Sequence, residues 1–399
     1  RPPRSTPKPS SAASDVYKRQ VDARGKTLGE KISSEPKVGI NLYTSLDLKS
    51  HQAAQKAFNN RKGAVVAIDI NDGSIVTLFS SPTFSTNQLA NGILQKDFDE
   101  LLLSEEKPFF NRALRGRYPP ASSIKPAIAI YGIEEGLIDW NFSIFDEGFF
   151  TLPEDGRIYR DWKEGGHGDT NLFKAITQSS NTYFFDLAYR SDINQLNKHL
   201  SSLGFGDKAC IDCFEEDQVF VPEPSWKINK HNFGWFKGDT VNMGVGQGYL
   251  VSTPIQLAKY AYIMANKGKF SDLSLKKDLV KSEKSIEFNK FSNDDWFKLH
   301  ESMVNVIEGN TGTARRLREK KNYIVAAKTG TAELVSGDNR EQYSETRLDD
   351  SLRDHALIIA FGPMPNPRYA VSVVVENGES GGSVAGPVAI SVLNSLIQE

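Results

Sequence analysis

The sequence predicts an α+β fold, a five-stranded antiparallel sheet flanked by helices and accompanied by an all-helical subdomain. Two pairs of β-branched runs, one near each end of the chain, are the first observation. A fifth run precedes the second pair. The third observation is the stretch 122–270, whose apolar residues recur at helical spacing between loops. We therefore expect one sheet covered by helices.

The individual elements follow from local signals. In KGAVVAIDINDGSIVTLFSS, Asn71-Asp72-Gly73 separates two runs and predicts a hairpin. YIVAAKTGTA, from Tyr323, supplies the third strand, and ALIIAF and YAVSVVVENG form the last pair. After Pro387, VAISVLNSLI has helical spacing. The charged segment from Ser336 to Asp354 is predicted to be a surface loop.

Composition excludes some classes of function. The 399 residues are 39% hydrophobic and 25% charged, as in globular proteins. A net charge of -2, without a basic cluster interleaved with aromatics, predicts no nucleic-acid partner. The sequence contains no run of about 18 apolar residues, so no membrane span is predicted. Cys210 and Cys213 form a lone C-x-x-C, which favours structural or incidental cysteines over a zinc ribbon or redox motif.

Residues 1–20 have neither the apolar region of a signal peptide nor the periodicity of a fold. SSAASDVYKRQ back-translates to a common transposase sequencing adapter, and RPPRST fits the primer before it. We therefore expect a translated adapter here, with a disordered Pro/Ser-rich tail as the alternative. Codons other than the adapter's at Ser10 to Gln20 would contradict this interpretation.

YPPASSIKPAIAI, residues 118–130, contains a serine three residues before a lysine, which puts both on one helical face. Ser122 differs from other such serines because a Pro-Pro turn precedes it and an apolar helix follows. The helix N-terminus favours a developing oxyanion at Ser122. Lys125 is a candidate general base if burial or a nearby positive charge makes its neutral form accessible. The same spacing recurs by chance at Ser5, Ser34, Ser104 and Ser274.

KTGT, from Lys328 to Thr331, supplies a candidate for that positive charge and follows an apolar run that predicts a strand. Gly330 would leave room for a ligand backbone. NTGTA, at Asn310 to Ala314, is a near copy of KTGTA without the ammonium group, and we set it aside. A KTG that stood alone would favour a surface turn.

QSSNTYFFDLAYR places Ser179 and Asn181 at the start of a segment with helical aromatic spacing. A hydroxyl and an amide here are suited to relaying a proton and holding a peptide group. The alternative is a polar helix cap. In combination, SxxK, SxN and KTG in this order are typical of β-lactamases and penicillin-binding proteins.

The chain resembles the class B penicillin-binding proteins, most closely their elongation type, from VDARG at Val21 to the C-terminus. The matching segments include FFNRALRGRYPPASSIKP, DWKEGGHGDTN, GDTVNMGVGQGYLVSTPIQLAKY and HALIIAFGPMPNPRYAVSVVVENG. The resemblance implies a penicillin-binding-protein/serine β-lactamase-like transpeptidase fold, with 21–44 as a pedestal or linker remnant and 45–399 as the transpeptidase domain. It also implies a protein anchored in the bacterial inner membrane, with its catalytic domain in the periplasm and the anchor missing from this fragment.

The resemblance further implies a D,D-transpeptidase that cross-links peptidoglycan stem peptides without a cofactor. Ser122 would attack the penultimate D-alanine, and Lys125 would take its proton. Ser179 and Asn181 would protonate the leaving D-alanine and hold the donor peptide, while Lys328 would add positive potential. The N–H groups of the nucleophile and of the last KTGT residue would form the oxyanion hole. Thr329 and Thr331 would bind the terminal carboxylate, and Gly330 between them would complete the substrate-binding segment.

Partners are implied in the same way. They are stem peptides of lipid II-derived strands, β-lactam antibiotics, and a SEDS-type membrane glycosyltransferase with other rod-complex proteins. Relatives lack the C-x-x-C pair, so a disulfide between these cysteines stays open.

Two departures from the family pattern affect the site. Ala121 stands where relatives usually have Gly, which should be tolerated if the turn does not require φ > 0. Ser180 stands where some elongation-type relatives have a zinc-binding Cys, and a hydroxyl is a poor zinc ligand. Asp146, Asp161 and His167 occupy the other ligand positions. We predict no stable zinc, and we favour a His167 bonded to the loop backbone.

Two other functions are compatible with the motifs. A serine β-lactamase or β-lactam sensor shares all three, but a β-lactamase needs a positioned water and base, and we identify no acidic residue for that role. A catalytically silent scaffold of the same fold would not need an intact Ser122, Lys125 and Lys328.

Overall fold

The computed structural model describes residues 16–21, 24, 26–34, 40–334 and 352–397. Residues 1–15 and most of the predicted loop from Ser336 to Asp354 therefore lie outside the described residues. In the described part, β1 (Val16–Val21) pairs antiparallel with β2 (Thr27–Ser34). This strand includes residues 16–20, for which the sequence analysis predicted no fold.

The predicted five-stranded antiparallel sheet is confirmed. The two predicted pairs correspond to the hairpin of β3 (Gly63–Asp69) with β4 (Ser74–Ser81) and to the pair of β12 (His355–Gly362) with β13 (Tyr369–Val375). β11 (Ala326–Ala332) is one of the two edge strands and begins three residues after the predicted start. The spatial order of the strands across the sheet is β11, β12, β13, β3 and β4.

Successive side chains of a strand point to opposite faces of the sheet, and here both faces carry apolar residues. Helices therefore cover both faces. Val65 packs in a cluster with α1 (Leu48–Phe58) and the C-terminal helix α13 (Gly386–Ile397). Val66 packs in the cluster that contains α11 (Pro254–Ala265) and the helical subdomain. The C-terminal helix confirms the prediction made from the helical spacing after Pro387.

The site-bearing helices follow the second strand of the first hairpin. A 3₁₀ turn at Ala121–Ile124 leads into α5 (Lys125–Glu134). α6 (Leu172–Gln178) and α7 (Asn181–Arg190) are separated by two residues. The other helices are α2 (Thr86–Ala90), α3 (Gln95–Leu103), α4 (Arg112–Arg115), α8 (Ile193–Ser202), α9 (Pro224–His231), α10 (Lys237–Met243) and α12 (Asn293–Glu308).

The subdomain is not all-helical, because it contains two short antiparallel strand pairs. They are three or four residues long, too short for a period-two pattern to be recognised in the sequence. A third short pair follows α11. The pairs are β5 (Ser143–Asp146) with β8 (Gly168–Asn171), β6 (Phe149–Thr151) with β7 (Ile158–Arg160), and β9 (Lys269–Ser271) with β10 (Glu283–Ser285).

The two cysteines form a disulfide, Cys210–Cys213, and both are buried. This agrees with a structural role and resolves the pairing that the sequence left open. Among the helices of the described residues, none combines the length and the apolar character that crossing a bilayer requires.

Candidate active site

Ser122 lies in the 3₁₀ turn before α5, where it is half-buried, while the Lys125 side chain is fully buried. Edge strand β11 packs against this turn through Gly330. A Cβ on Gly330 would lie 3.2 Å from the Pro120 carbonyl oxygen and 3.3 Å from the Ser123 nitrogen. Gly330 therefore allows the strand to approach the turn closely, whereas we predicted that it would leave room for a ligand backbone. The contact brings KTGT beside the candidate nucleophile.

Ala121 adopts a left-handed backbone conformation, with φ of +48°. It is fully buried, and its N–H donates to the Gly246 carbonyl at 2.8 Å. A Cβ on Gly246 would lie 2.2 Å from the Ala121 oxygen, so the two backbones are closely packed. The turn therefore requires φ > 0, and the condition under which we expected alanine to be tolerated without cost does not hold. A left-handed alanine costs about 1–2 kcal/mol.

We expect Ala121→Gly to raise the free energy of unfolding by about 0.5–1 kcal/mol, because strain relief outweighs the lost methyl burial and the greater freedom of the unfolded chain. Urea denaturation measures this change. Ala127→Gly, in the buried interior of α5, is the matched control and should lose about 1 kcal/mol or more. A loss of stability in both variants would contradict the strain argument.

Ser179 and Ser180 form the junction between α6 and α7. Ser179 ends α6 in a left-handed conformation, φ 62° and ψ 36°, a strained geometry for a serine that is common at functional sites. Ser180 caps α7, since its Oγ accepts from the Tyr183 N–H at 3.2 Å. The capping alternative is thus confirmed for Ser180, and the Ser179 and Asn181 side chains are left to contact the lysines.

The structure brings the three motifs together around two buried amines. Lys125 Nζ donates to the carbonyl oxygens of Ser179 and Ser180, at 2.8 and 2.9 Å, and to Asn181 Oδ1 at 2.7 Å. Lys328 Nζ donates to Ser179 Oγ at 2.7 Å, and Lys125 Nζ lies 3.5 Å from the same oxygen. Within the described part of the chain, no hydrogen bond joins the Ser122 and Lys125 side chains, although the Lys125 backbone N–H donates to the Ser122 carbonyl. Their link is the shared helical turn.

Burial dominates the electrostatics of both lysines. It lowers the pKa of Lys125 to about 7, against the opposing effect of the Asp161 and Asp146 carboxylates. Burial, together with the charge of Lys125, lowers the pKa of Lys328 well below its ordinary value. The shift in the pKa of Lys125 is thus caused by burial, one of the two predicted causes, and not by the second lysine.

Asp161 fixes the start of α7. Its Oδ2 accepts the N–H groups of Asn181 and Thr182 at 2.6 and 3.0 Å. Burial by itself would raise the pKa of Asp161, but the hydrogen bond from His167, the charge of Lys125 and the backbone donors hold that pKa below its usual value. This ionised carboxylate positions Asn181, a role that the sequence analysis missed because the two lie 20 residues apart in the chain.

Asp146, Asp161 and His167 converge as the family's zinc ligands would, with one candidate ligand atom of each within 4.8 Å of the others. The fourth position does not fit zinc, because the Ser180 hydroxyl donates to Asp146 Oδ2 at 2.7 Å and serves as a helix cap. The favoured backbone contact for His167 is wrong. Its ring nitrogens lie 3.3 Å from Asp161 Oδ1 and 3.0 Å from Gln178 Oε1.

We expect the purified protein to contain no stoichiometric zinc, since a neutral hydroxyl replaces a thiolate. Elemental analysis after dialysis checks this. Ser180→Cys, which restores four charged or imidazole ligands, should bind about one zinc per chain. One equivalent of zinc in the wild type would contradict the prediction.

Two further side chains contact the site without having been predicted to do so. Gln247 Nε2 donates to the Thr331 carbonyl at 3.3 Å, and Trp162 Nε1 donates to the Ser179 carbonyl at 3.2 Å. Both belong to segments that carried the family resemblance, GDTVNMGVGQGY and DWKEGGHGDTN. Their positions depend on tertiary contacts that no local spacing reports.

Comparison with known proteins agrees with this geometry. Residues 63–394 match the family model described as the penicillin binding protein transpeptidase domain. The chain is 38% identical over 375 residues to the peptidoglycan D,D-transpeptidase MrdA of Acinetobacter baumannii, which covers 92% of this chain and 55% of the relative. It is 33% identical to MrdA of Escherichia coli K12, covering 95% of this chain and 61% of that relative. The chain thus spans less than two thirds of these curated relatives.

Solved structures with the same fold include penicillin-binding protein 2 (PBP2) of Pseudomonas aeruginosa in complex with WCK 5153. That match has a TM-score of 0.83 and 35% identity, and covers 91% of this chain and 80% of the other. The complex between PBP2 and MreC from Helicobacter pylori gives a TM-score of 0.82 and 30% identity, covering 95% and 68%.

Proposed function

The chain belongs to the penicillin-binding protein transpeptidase family, and from this membership we propose that it is a peptidoglycan D,D-transpeptidase acting through a serine acyl-enzyme. The observation that supports this most directly is the convergence of Lys125, Ser179 and Lys328 beside the Ser122 turn. Two buried amines that share one hydroxyl are suited to moving a proton between a nucleophile and a leaving group.

In the proposed acylation, the Ser122 oxygen attacks the carbonyl carbon of the penultimate D-alanine, and neutral Lys125 takes the hydroxyl proton. The N–H groups of Ser122 and Thr331 bind the resulting oxyanion. When the tetrahedral intermediate collapses, the bond to the terminal D-alanine breaks. Ser179 Oγ gives its proton to the leaving amine and is reprotonated by one of the two lysines. The amine of a second stem peptide then attacks the ester and releases Ser122.

The bound substrate also helps to set the proton distribution. The three oxygen acceptors around the Lys125 amine favour its charged form and oppose the effect of burial, which lowers its pKa to about 7. A substrate carboxylate held by Thr329 and Thr331 would bring negative charge next to Lys328 and favour the charged form there. Since both amines contact Ser179 Oγ, a proton can pass from Lys125 to Lys328 through that hydroxyl. Lys125 is then neutral when Ser122 attacks.

The wider context is part of the same proposal. We propose residues 45–399 as the catalytic domain, and stem peptides and β-lactams as its ligands. Similarity to MrdA and to a PBP2 found in complex with MreC supports a role in cell elongation. It also supports an anchored protein that faces the periplasm, with a SEDS-type glycosyltransferase of the rod complex as partner. Depletion should give round cells, and filaments would contradict the elongation role.

Intact mass after exposure to penicillin, followed over hours, distinguishes the candidate functions. A one-to-one adduct that persists supports the transpeptidase. An adduct that disappears while penicilloate accumulates indicates a β-lactamase. Folded protein without any adduct would leave the silent scaffold. Formation of a cross-linked dimer from two synthetic stem peptides then tests the transpeptidation step itself.

A further inference from the structure

The near copy NTGTA, which the sequence analysis set aside, lies against the KTGT strand that it resembles. After α12 the chain turns back, and the Ala314 N–H donates to the Val306 carbonyl at 2.9 Å. Gly312 permits this turn, because a Cβ there would lie 2.3 Å from the carbonyl oxygens of Asn305 and Val306. The near copy is thereby fixed to the end of α12.

Thr313 is the residue of this turn that reaches the strand. Its Oγ1 lies 2.7 Å from Thr329 Oγ1. Its backbone is held from another side, since a Cβ on Gly382 would lie 2.5 Å from the Thr313 oxygen. Thr329 is 7% exposed and Thr313 is half-buried. Within the described residues, neither hydroxyl has a second hydrogen-bond partner.

Two hydroxyls that share one hydrogen bond have one hydrogen left to donate. The hydroxyl that accepts within the pair keeps its own hydrogen, and accepting makes it a stronger donor. If Thr313 is the donor of this pair, the spare hydrogen belongs to Thr329, which neighbours Lys328 on the motif that would bind the substrate carboxylate. A hydroxyl polarised in this way is suited to an anionic oxygen.

We infer that Thr313 is a specificity-determining residue: it donates to Thr329 and so directs the Thr329 hydroxyl hydrogen toward the carboxylate of the substrate. This inference rests on the proposed function. It assigns to the near copy a role in selecting ligands that carry a carboxylate. Thr313 acts through Thr329, and its removal should weaken recognition of the carboxylate without slowing the chemistry at Ser122.

Acylation by benzylpenicillin and by its methyl ester isolates this effect, because the two compounds differ only in the carboxylate. In Thr313→Val, which keeps the shape and removes the hydroxyl, we expect the second-order acylation rate for the acid to fall about tenfold. The rate for the ester should stay unchanged. Thr313→Ser retains the hydroxyl and should retain the preference for the acid.

Thr311→Val is the matched control, because Thr311 lies in the same turn and its hydroxyl accepts from Gln178 Nε2 at 3.2 Å. Its ratio of acid to ester acylation should equal that of the wild type. An equal loss for both compounds in Thr313→Val would mean a purely structural role and overturn the inference, as would an unchanged ratio. A wild type acylated by neither compound would refute the proposed function and the inference with it.

Discussion

Ser122→Ala is expected to abolish the covalent penicillin adduct, because no other group in the proposed mechanism can form the ester. The wild type should gain the mass of one penicillin per chain, and the variant should gain none. Removing the nucleophile of a serine acyl-transfer enzyme lowers the rate by about 10⁶-fold, so the effect should be complete on the time scale of mass spectrometry. Far-ultraviolet circular dichroism and thermal unfolding verify that the variant is folded.

Ser104→Ala is the matched control, since Ser104 also precedes a lysine by three residues. The structure places it just after α3, where its hydroxyl accepts from the Glu106 N–H at 3.3 Å. This variant should form the adduct at the wild-type rate. An adduct on Ser122→Ala would place the nucleophile elsewhere and remove the basis of the mechanism.

The sequence predicted the central sheet because its strands carry strong local signals. Val65 and Val66 belong to a β-branched run that faces two cores, and Asn71-Asp72-Gly73 specifies the turn that follows. The short pairs of the subdomain carry no such signal. Strand β5, for example, has four residues, and Phe145 within it is exposed. Its pairing depends on the loop that returns at Gly168, which no local pattern encodes.

The candidate site shows the same division. Spacing and order identified Ser122, Lys125 and Lys328, since motifs depend on positions close together in the chain. The positive φ of Ala121 could not be predicted, because it arises from contact with Gly246 in a distant segment. Thr313 was set aside for the same reason. A comparison of two pentapeptides does not reveal that the fold brings them into contact.

Lys125→Met should lower the rate of acylation by about 10²–10⁴-fold, the usual contribution of general-base catalysis. Methionine fills the buried space but offers no lone pair to take the Ser122 proton. The rate of adduct formation at pH 8, measured by stopped-flow or quenched mass spectrometry, checks this. Lys259→Met, which removes a half-buried lysine outside the site whose pKa is also lowered by desolvation, is the control and should stay close to the wild type.

The pH profile tests the same assignment in the unmodified protein. Burial lowers the pKa of Lys125 to about 7, so the amine is protonated below that pH and neutral above it. The acylation rate should therefore rise as pH increases through about 7 and then level off. Lys125→Met should lack this rise, whereas Lys259→Met should keep it. A wild-type rate that is flat across this range, or a rise that persists in Lys125→Met, would show that the titrating base is another group. Lys328 would then be the first alternative, because it contacts the same Ser179 hydroxyl and its pKa is also lowered.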